Sequence, residues 1–419
     1  MPKDAQTPIL DMLKEYEREE NIRFHMPGHK GTLSPYDVTE VPGTDNLHAP
    51  KEAILEAEKL LAKAYGADKS FLLVNGSTCG MLAAICALFQ PGDKVLVDKN
   101  CHRCVWNGLQ LAGAEGVAAE DLIGAVDSTY QGVIVTRPDY YGYCKNIQAL
   151  AQRCTELGVL LIADEAHGAH LAFGQECGYP VSAVQYAHVT VQSAHKMLGA
   201  LNQTAYLHLY GKGVKYATAV RKWLGIFQTS SPSYLLLASG DCARAYMEEH
   251  GAEGLLQLKE LVERATVEIE TKTPFVVVKG ENRTPDRLVI DTSVGGVNGY
   301  LAEKSLRTQG VQVELSDERH IVCLCTIFDV WESFERLIQA LEALKTCDGV
   351  AVADVCQREE TLRVLKTEIG TSLDRDIVPY PPGIPLVREG QILTESLYAE
   401  IAGLYLAGGN VLGVEKGKV

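Results

Sequence analysis

Residues 70–98 read SFLLVNGSTCGMLAAICALFQPGDKVLVD. An apolar run, Phe71–Val74, leads into the turn Asn75-Gly76-Ser77-Thr78, which opens an apolar helix through STCGMLAAICALF. Pro91-Gly92-Asp93 then closes that helix ahead of a second apolar run, DKVLVD. Neither run alternates apolar with polar, so each reads as a strand buried on both faces, and two such strands joined through a helix run parallel. The pattern extends outward. EAILEAEKLLAKAYG precedes as a helix. VWNGLQLAG (helix), GVIVT (strand), NIQALAQRCTELG (helix) and VLLIAD (strand) follow. Residues 51–270 are therefore expected to form a large α/β domain with a mostly parallel sheet flanked by helices. Residues 1–50 hold one amphipathic helix (Ile9, Leu10, Leu13, Tyr16) and an irregular stretch rich in Pro, Gly and His. Residues 271–419 carry strands at PDRLVIDTS, VQVELSD and HIVCLCTIF and helices at YLAEKSLRTQG and VWESFERLIQALEAL, which predicts a smaller α+β domain.

The chain has 419 residues, 46% hydrophobic and 22% charged, ordinary values for a globular protein and against a disordered or fibrous one. Lys plus Arg total 39 and Asp plus Glu 54, so the net charge is 39 − 54 = −15. That balance argues against nucleic acid and anionic membrane surfaces as partners. The N-terminus is charged and lacks the apolar stretch of a secretion signal, so a cytoplasmic protein is expected. Twelve cysteines are scattered along the chain and read as buried thiols rather than a disulfide framework. Cys101 and Cys104 have metal-ligand spacing but no second pair at zinc-ribbon distance, so no metal is expected.

Four strand ends carry chemistry. Ser77, Thr78 and Cys79 open a helix directly after a strand, where free backbone amides favour an anion such as phosphate. His102 follows DKVLVD and can stack on a planar ligand. Asp164 ends VLLIAD, with Glu165, His167 and His170 crowding in behind it. A carboxylate there is costly unless a cation or donors meet it. Ser193, His195 and Lys196 form a polar turn after the strand HVTVQ, where an enclosed lysine is a Schiff-base candidate. Each alone has a plainer reading: a helix cap, a surface histidine, a solvated lysine. Together, on one edge of one parallel sheet, they offer a phosphate cradle, a flat ring, a carboxylate and a lysine. Pyridoxal 5′-phosphate needs all four.

With these motifs in hand, the chain resembles the ornithine/lysine/arginine decarboxylase family of fold-type I pyridoxal-phosphate enzymes. The resemblance is carried by FHMPGHKG, TDNLHAPKEAI, VNGSTCGMLAAI, KNCHRCVWNGL, RPDYYGYCKNI, DEAHGAH, SAHKMLGALNQTAYLHL, QTSSPSYLLLAS and PYPPGIPLVREG, spanning residues 24 to about 390. It implies an aspartate-aminotransferase-like fold and a lysine, Lys196, that joins the cofactor's aldehyde. It implies further that Asp164 partners the pyridine nitrogen, that His102 stacks on the ring, and that His167 lies near the ring oxygen and substrate. Ser77, Thr78, Ser193 and His195 would surround the phosphate, and Thr229 or Ser230 would complete the phosphate shell of a neighbouring subunit. A homodimer with shared active sites follows. The large family members carry an N-terminal receiver-like wing that this chain lacks, and residues after about 271 are fewer than usual, so their decameric assembly is not expected here.

The implied reaction is α-decarboxylation of a basic amino acid (lysine, ornithine or arginine) to an amine that feeds polyamine biosynthesis. A basic side chain calls for carboxylates. Glu314 and Asp317 in VQVELSDERH are the candidates, with Asp45 behind them. Two other readings remain at this stage. One is an aminotransferase or β-lyase, which would use an arginine such as Arg363, Arg375 or Arg388 on the α-carboxylate. The other is a non-catalytic scaffold.

Overall fold

The computed structural model describes residues 5–344, 352–380 and 383–415, with side chains omitted for 352–356. Pro381 and Pro382 of the PYPPGIPLVREG motif lie outside the described residues. The chain divides into two compact units, Met1–Leu256 and Gln257–Val419.

The first unit begins with α1 (Pro8–Arg18) and α2 (Ala53–Tyr65). There follow β1 (Lys69–Leu73), α3 (Gly76–Leu88), β2 (Lys94–Asp98), α4 (Arg103–Ala112), β3 (Glu115–Ala119) and α5 (Leu122–Ala125). Next come β4 (Gly132–Thr136), α6 (Ile147–Leu157), β5 (Leu160–Asp164), β6 (Val189–Gln192), α7 (Ala194–Met197), β7 (Ala205–Leu209) and α8 (Ala217–Phe227). The division between units falls inside α9 (Tyr234–Lys272). The strands form one sheet in the order β1-β7-β6-β5-β4-β2-β3. β3, β2, β4, β5 and β6 pair in parallel, while β7 pairs antiparallel with both β6 and β1. Every strand except β7 therefore ends on the same edge.

Alternation along the strands distributes the core. Val95, Val97, Ile134 and Ile162 pack with α3, α4 and α8 on one face. Leu96, Val133, Val135, Leu161 and Ala163 pack with α5 and α6 on the other. Each face removes apolar area from water at about 25 cal/mol per Å², which is why the strands read as unbroken apolar runs. α3 lies close on the sheet. A Cβ at Gly80 would come within 2.7 Å of Leu73 Cδ1 and 2.9 Å of Val191 Cγ1, so only glycine allows this approach. α1 is pinned by α9: Asp241 accepts from Ile9 N–H, and Arg244 binds Asp241 and the Gln6 carbonyl.

The second unit continues with β8 (Val276–Val277), β9 (Arg287–Asp291), α10 (Gly299–Thr308), β10 (Leu315–Ser316), β11 (His320–Leu324) and α11 (Trp331–Glu342). It ends with α12 (Val352–Lys366), β12 (Val378–Pro379), α13 (Glu395–Ala407) and β13 (Val411–Leu412). Its four-stranded sheet, β10-β11-β9-β8, is antiparallel. A separate core gathers Leu362, Leu365, Ile377, Leu393 and Ile401. The architecture is α/β: a large, mostly parallel sheet flanked by helices, and a smaller α+β part.

Candidate active site

The shared strand edge of the first unit opens into a cavity of about 430 Å³. Ser77, Thr78, His102, Asp164, His167, Ser193, His195 and Lys196 all line it. A larger cavity, about 840 Å³, lies over the opposite strand ends, between residues such as Gln131, Leu160 and Lys212. The smaller one gathers the helix N-terminus and the titratable groups, and chemistry follows those rather than volume.

β5 delivers Asp164 into the cavity wall, where it is 5% exposed and Oδ1 accepts from Ala166 N–H at 3.1 Å. Burial raises its proton affinity, and Asp98 adds to that. The Lys196 charge and the Ala166 bond pull the other way without reversing it. A buried acid in this condition is matched by a cationic partner. After β6, the short helix α7 presents Lys196, with Nζ 3.0 Å from His167 Nε2 and 5.7 Å from the Tyr140 ring centroid. The rings of Tyr140 and His167 lie 4.5 Å apart.

α3 begins at Gly76, whose φ is +74°, and no side chain caps its first turn. Its free amides thus face the cavity with the positive end of the helix dipole. Ser193 Oγ donates to Ser77 Oγ at 2.8 Å and ties the end of β6 to this turn. Gly76 N–H bonds the carbonyl of Gln203, which also lines the cavity and holds a left-handed φ of +77°. A non-glycine residue in that region costs about 1–2 kcal/mol. His195 is held by Thr204 O at 2.9 Å. His102 caps α4, its Nδ1 accepting from Cys104 N–H. Burial, then the charges of Lys196 and Arg103, push its pKa down to about 4. It is a flat, neutral ring at physiological pH.

These groups fit pyridoxal phosphate on the structure's own terms. The uncapped helix start suits a phosphate. The neutral imidazole suits a face of the ring. The buried acid suits a protonated ring nitrogen, and Lys196 suits an aldehyde. Thr136 Oγ1, also on the cavity wall, is buried and has no hydrogen-bond partner among the described residues.

The remaining sequence candidates lie elsewhere. Cys79 does not line this cavity: its thiol is buried, donates to the Gly76 carbonyl at 3.1 Å, and is pushed up to about 12 by burial. Thr229 and Ser230 are exposed and do not line this cavity, although His48 Nε2 bonds the Thr229 carbonyl at 2.8 Å. Glu314 and Asp317 belong to the second unit. Glu314 is exposed beside a cavity of about 550 Å³ that also holds Asp329, Glu332 and Arg336. The Asp317 carboxylate accepts from Arg319 N–H, His320 N–H and the His320 ring. Asp45 is a different kind of residue from the one expected. Burial pushes its pKa up, but four backbone N–H bonds, from Lys51, Glu52, Asn46 and Ile54, hold it below the usual range. It is the cap at the start of α2, with no oxygen to spare for a substrate. Arg375 is taken up by Glu368, Asp374 and the Gly413 carbonyl. Cys101 and Cys104 are both buried, Cys104 in the wall of the same cavity, and among the described residues no cluster of three or more His, Cys, Asp or Glu side chains could hold a metal.

Sequence reasoning passed over Asn100, Thr136, Tyr140, Asn202 and Gln203. Tyr140 sits in RPDYYGYCKNI among three tyrosines, and nothing in that string separates it from Tyr141 or Tyr143.

The family model described as Orn/Lys/Arg decarboxylase, major domain, matches residues 31–121 and 118–276, more than half of the chain. The chain belongs to this family. Two other comparisons extend the match. The uncharacterized protein YaaO of Bacillus subtilis (strain 168) is 30% identical, over 95% of this chain and 94% of its own length. An arginine decarboxylase of Halalkalibacterium halodurans is 28% identical, over 99% and 96%. Among solved structures, the Francisella novicida lysine decarboxylase LdcF superposes with a TM-score of 0.80 at 18% identity, covering 98% of this chain and 79% of that one. This likeness establishes that the family fold extends over nearly the whole chain.

Proposed function

We propose that this chain is a pyridoxal-phosphate-dependent decarboxylase of a basic amino acid, producing the corresponding amine and CO₂. The observation that carries the reading is the convergence of Lys196, buried Asp164, neutral His102 and the uncapped start of α3 on one cavity. Relatives named arginine and lysine decarboxylases support the substrate class.

When bound, the cofactor supplies an electron sink for the bond broken at the substrate's α-carbon. The chain's residues do the rest. Lys196 Nζ is the nucleophile toward the aldehyde, and His167 Nε2 at 3.0 Å holds it in position and can take or return its proton. Asp164 holds the counter-charge for the ring nitrogen. Its burial strengthens that pairing, because the surrounding dielectric is low. His102 covers a ring face without adding charge. Ser77, Thr78, Ser193 and His195 hold the phosphate with the α3 amides.

Residues 51–270 are assigned to cofactor binding, and the exposed carboxylate of Glu314, rather than Asp317 with its three donors, to the substrate's distal cation. A cytoplasmic homodimer is the proposed working unit, with Thr229 and Ser230 serving the neighbouring site. The exposed side chains of Ile22, Phe24 and Leu33, 84–93% accessible, support a second copy as the cover for residues 1–50. No helix among the described residues is long and apolar enough to cross a membrane.

The test is a panel of amino acids with detection of CO₂ and mass identification of the amine. Release of CO₂ with a matching diamine or agmatine-type amine is expected. Keto-acid formation without CO₂ would replace decarboxylation with transamination.

A further inference from the structure

A second buried carboxylate stands behind Asp164. Asp98 ends β2 and is 1% exposed. Strand alternation assigns it to the Leu96 face of the sheet, whereas Asp164 shares the Ile162 face. Its Oδ1 accepts Lys145 Nζ at 2.9 Å and Asn100 N–H at 3.2 Å, and its Oδ2 accepts Thr136 N–H at 3.3 Å. Thr136 is the direct register partner of Asp164 across β4 and β5. Both Asn100 and Thr136 line the cavity. Lys145 is only a third exposed and is held from its other side by the Glu120 carbonyl at 3.1 Å. The groups whose charge acts on Asp164 are Lys196 from α7 and, across the sheet, Asp98 from β2, while the Cys104 thiol from α4 feels the charge of Asp164 in turn.

We propose that the Asp98–Lys145 pair positions Asp164 and sets its charge: through Thr136 it fixes the end of β4 against β5, and by neutralising itself it leaves Asp164 as the one uncompensated anion behind a bound ring. This rests on the functional reading above, with Asp164 as the partner of the ring nitrogen. Asp98 without Lys145 would stand as a second uncompensated anion and favour a cationic ring. Lys145 without Asp98 would oppose a cationic ring. The two residues therefore act with opposite signs on any proton held at the cofactor, while a purely structural role would move both variants the same way.

Two strand spacings separate Asp98 from Asp164, about 10 Å, and a unit charge at that distance shifts a proton equilibrium by about half to one pH unit. The full-length chain is loaded with pyridoxal phosphate. The covalent band expected near ~420 nm is titrated with pH in wild type, Asp98→Asn, Lys145→Met and the double variant. The midpoint falls by about half a unit or more in Asp98→Asn, rises by a similar amount in Lys145→Met, and returns close to wild type in the double variant. Normal bands with both midpoints unmoved, or moved in one direction, overturn this inference and leave the functional reading standing. If Asp98→Asn fails to fold by circular dichroism, Lys145→Met decides, and a midpoint that does not rise overturns the proposal. A wild-type chain that forms no band overturns the functional reading and this inference with it.

Discussion

Arg137 and Glu165 lie directly beneath the site, and Arg137→Met tests how the strand ends are held. The pair meets at 3.0 Å with side-chain exposures of 2% and 0%. Arg137 also donates to the carbonyls of Lys145 and Val181. Glu165 further accepts from Ser182 Oγ–H, Ala183 N–H and Gln192 Nε2–H. Removing the guanidinium leaves a buried carboxylate with three neutral donors. Breaking a buried pair from one side costs about 3–5 kcal/mol, and the three remaining donors argue for the lower end. At about 2–4 °C per kcal/mol for a unit of this size, the melting temperature falls by about 10 °C. The pH dependence carries a sign. Burial raises the Glu165 pKa in the folded chain despite the Arg137 charge, so this acid weakens the fold at neutral pH and stops doing so as it is protonated. Arg137→Met raises that pKa further. The deficit against wild type is then largest at neutral pH and shrinks as pH falls through the folded value toward the unfolded one, about 4.3. Arg137→Met/Glu165→Gln recovers part of the loss at pH 7. Denaturant melts of the three chains at pH 5 and 7 read all of this. A loss below about 1 kcal/mol at pH 7, or a deficit independent of pH, refutes the reasoning.

Other changes test the site itself. Gly80→Val drives a side chain into Leu73 and Val191, lifts the start of α3, and should weaken pyridoxal-phosphate binding about tenfold or more by equilibrium titration; overpacking of this kind costs about 1–3 kcal/mol. Because His102 acts as a neutral ring, His102→Phe should keep most cofactor affinity while His102→Ala loses it, as read by fluorescence quenching. Glu314→Gln should raise KM for the basic substrate more than it lowers kcat in a CO₂-release assay, and an unchanged KM removes Glu314 from the substrate pocket.

The parts of the fold that sequence disclosed are those written in side-chain period. Val95, Val97 and Leu96 are all apolar because both faces of β2 are covered, so parallel strands could be read directly. The reversed direction of β7 could not. An apolar run such as AYLHL looks the same whichever way its hydrogen bonds point. α9 stayed hidden because Gly240, Gly251 and Gly254 each weaken a helix by about 1 kcal/mol in isolation. Close packing overrides that weakness: a Cβ at Gly240 would come within 2.8 Å of Thr204 Cγ2, and one at Gly251 within 3.1 Å of Phe173. In the site, Asp164, His102 and Lys196 were legible because each ends a strand or lies in the short turn after one, and these strand ends share an edge. Tyr140 and Gln203 reach the same cavity from loops whose course no periodicity records. Asp45 misled because a carboxylate saturated by backbone amides and one awaiting a cation are the same letter. Only its four N–H bonds tell them apart.

The central claim is that one lysine takes the cofactor's aldehyde. The full-length chain is incubated with pyridoxal phosphate, reduced with borohydride, digested and mapped by mass spectrometry. The account predicts a single phosphopyridoxyl adduct on the peptide containing Lys196, absent in Lys196→Ala, whose fold is otherwise intact. An adduct on a different lysine, or none in the wild-type chain, would contradict it.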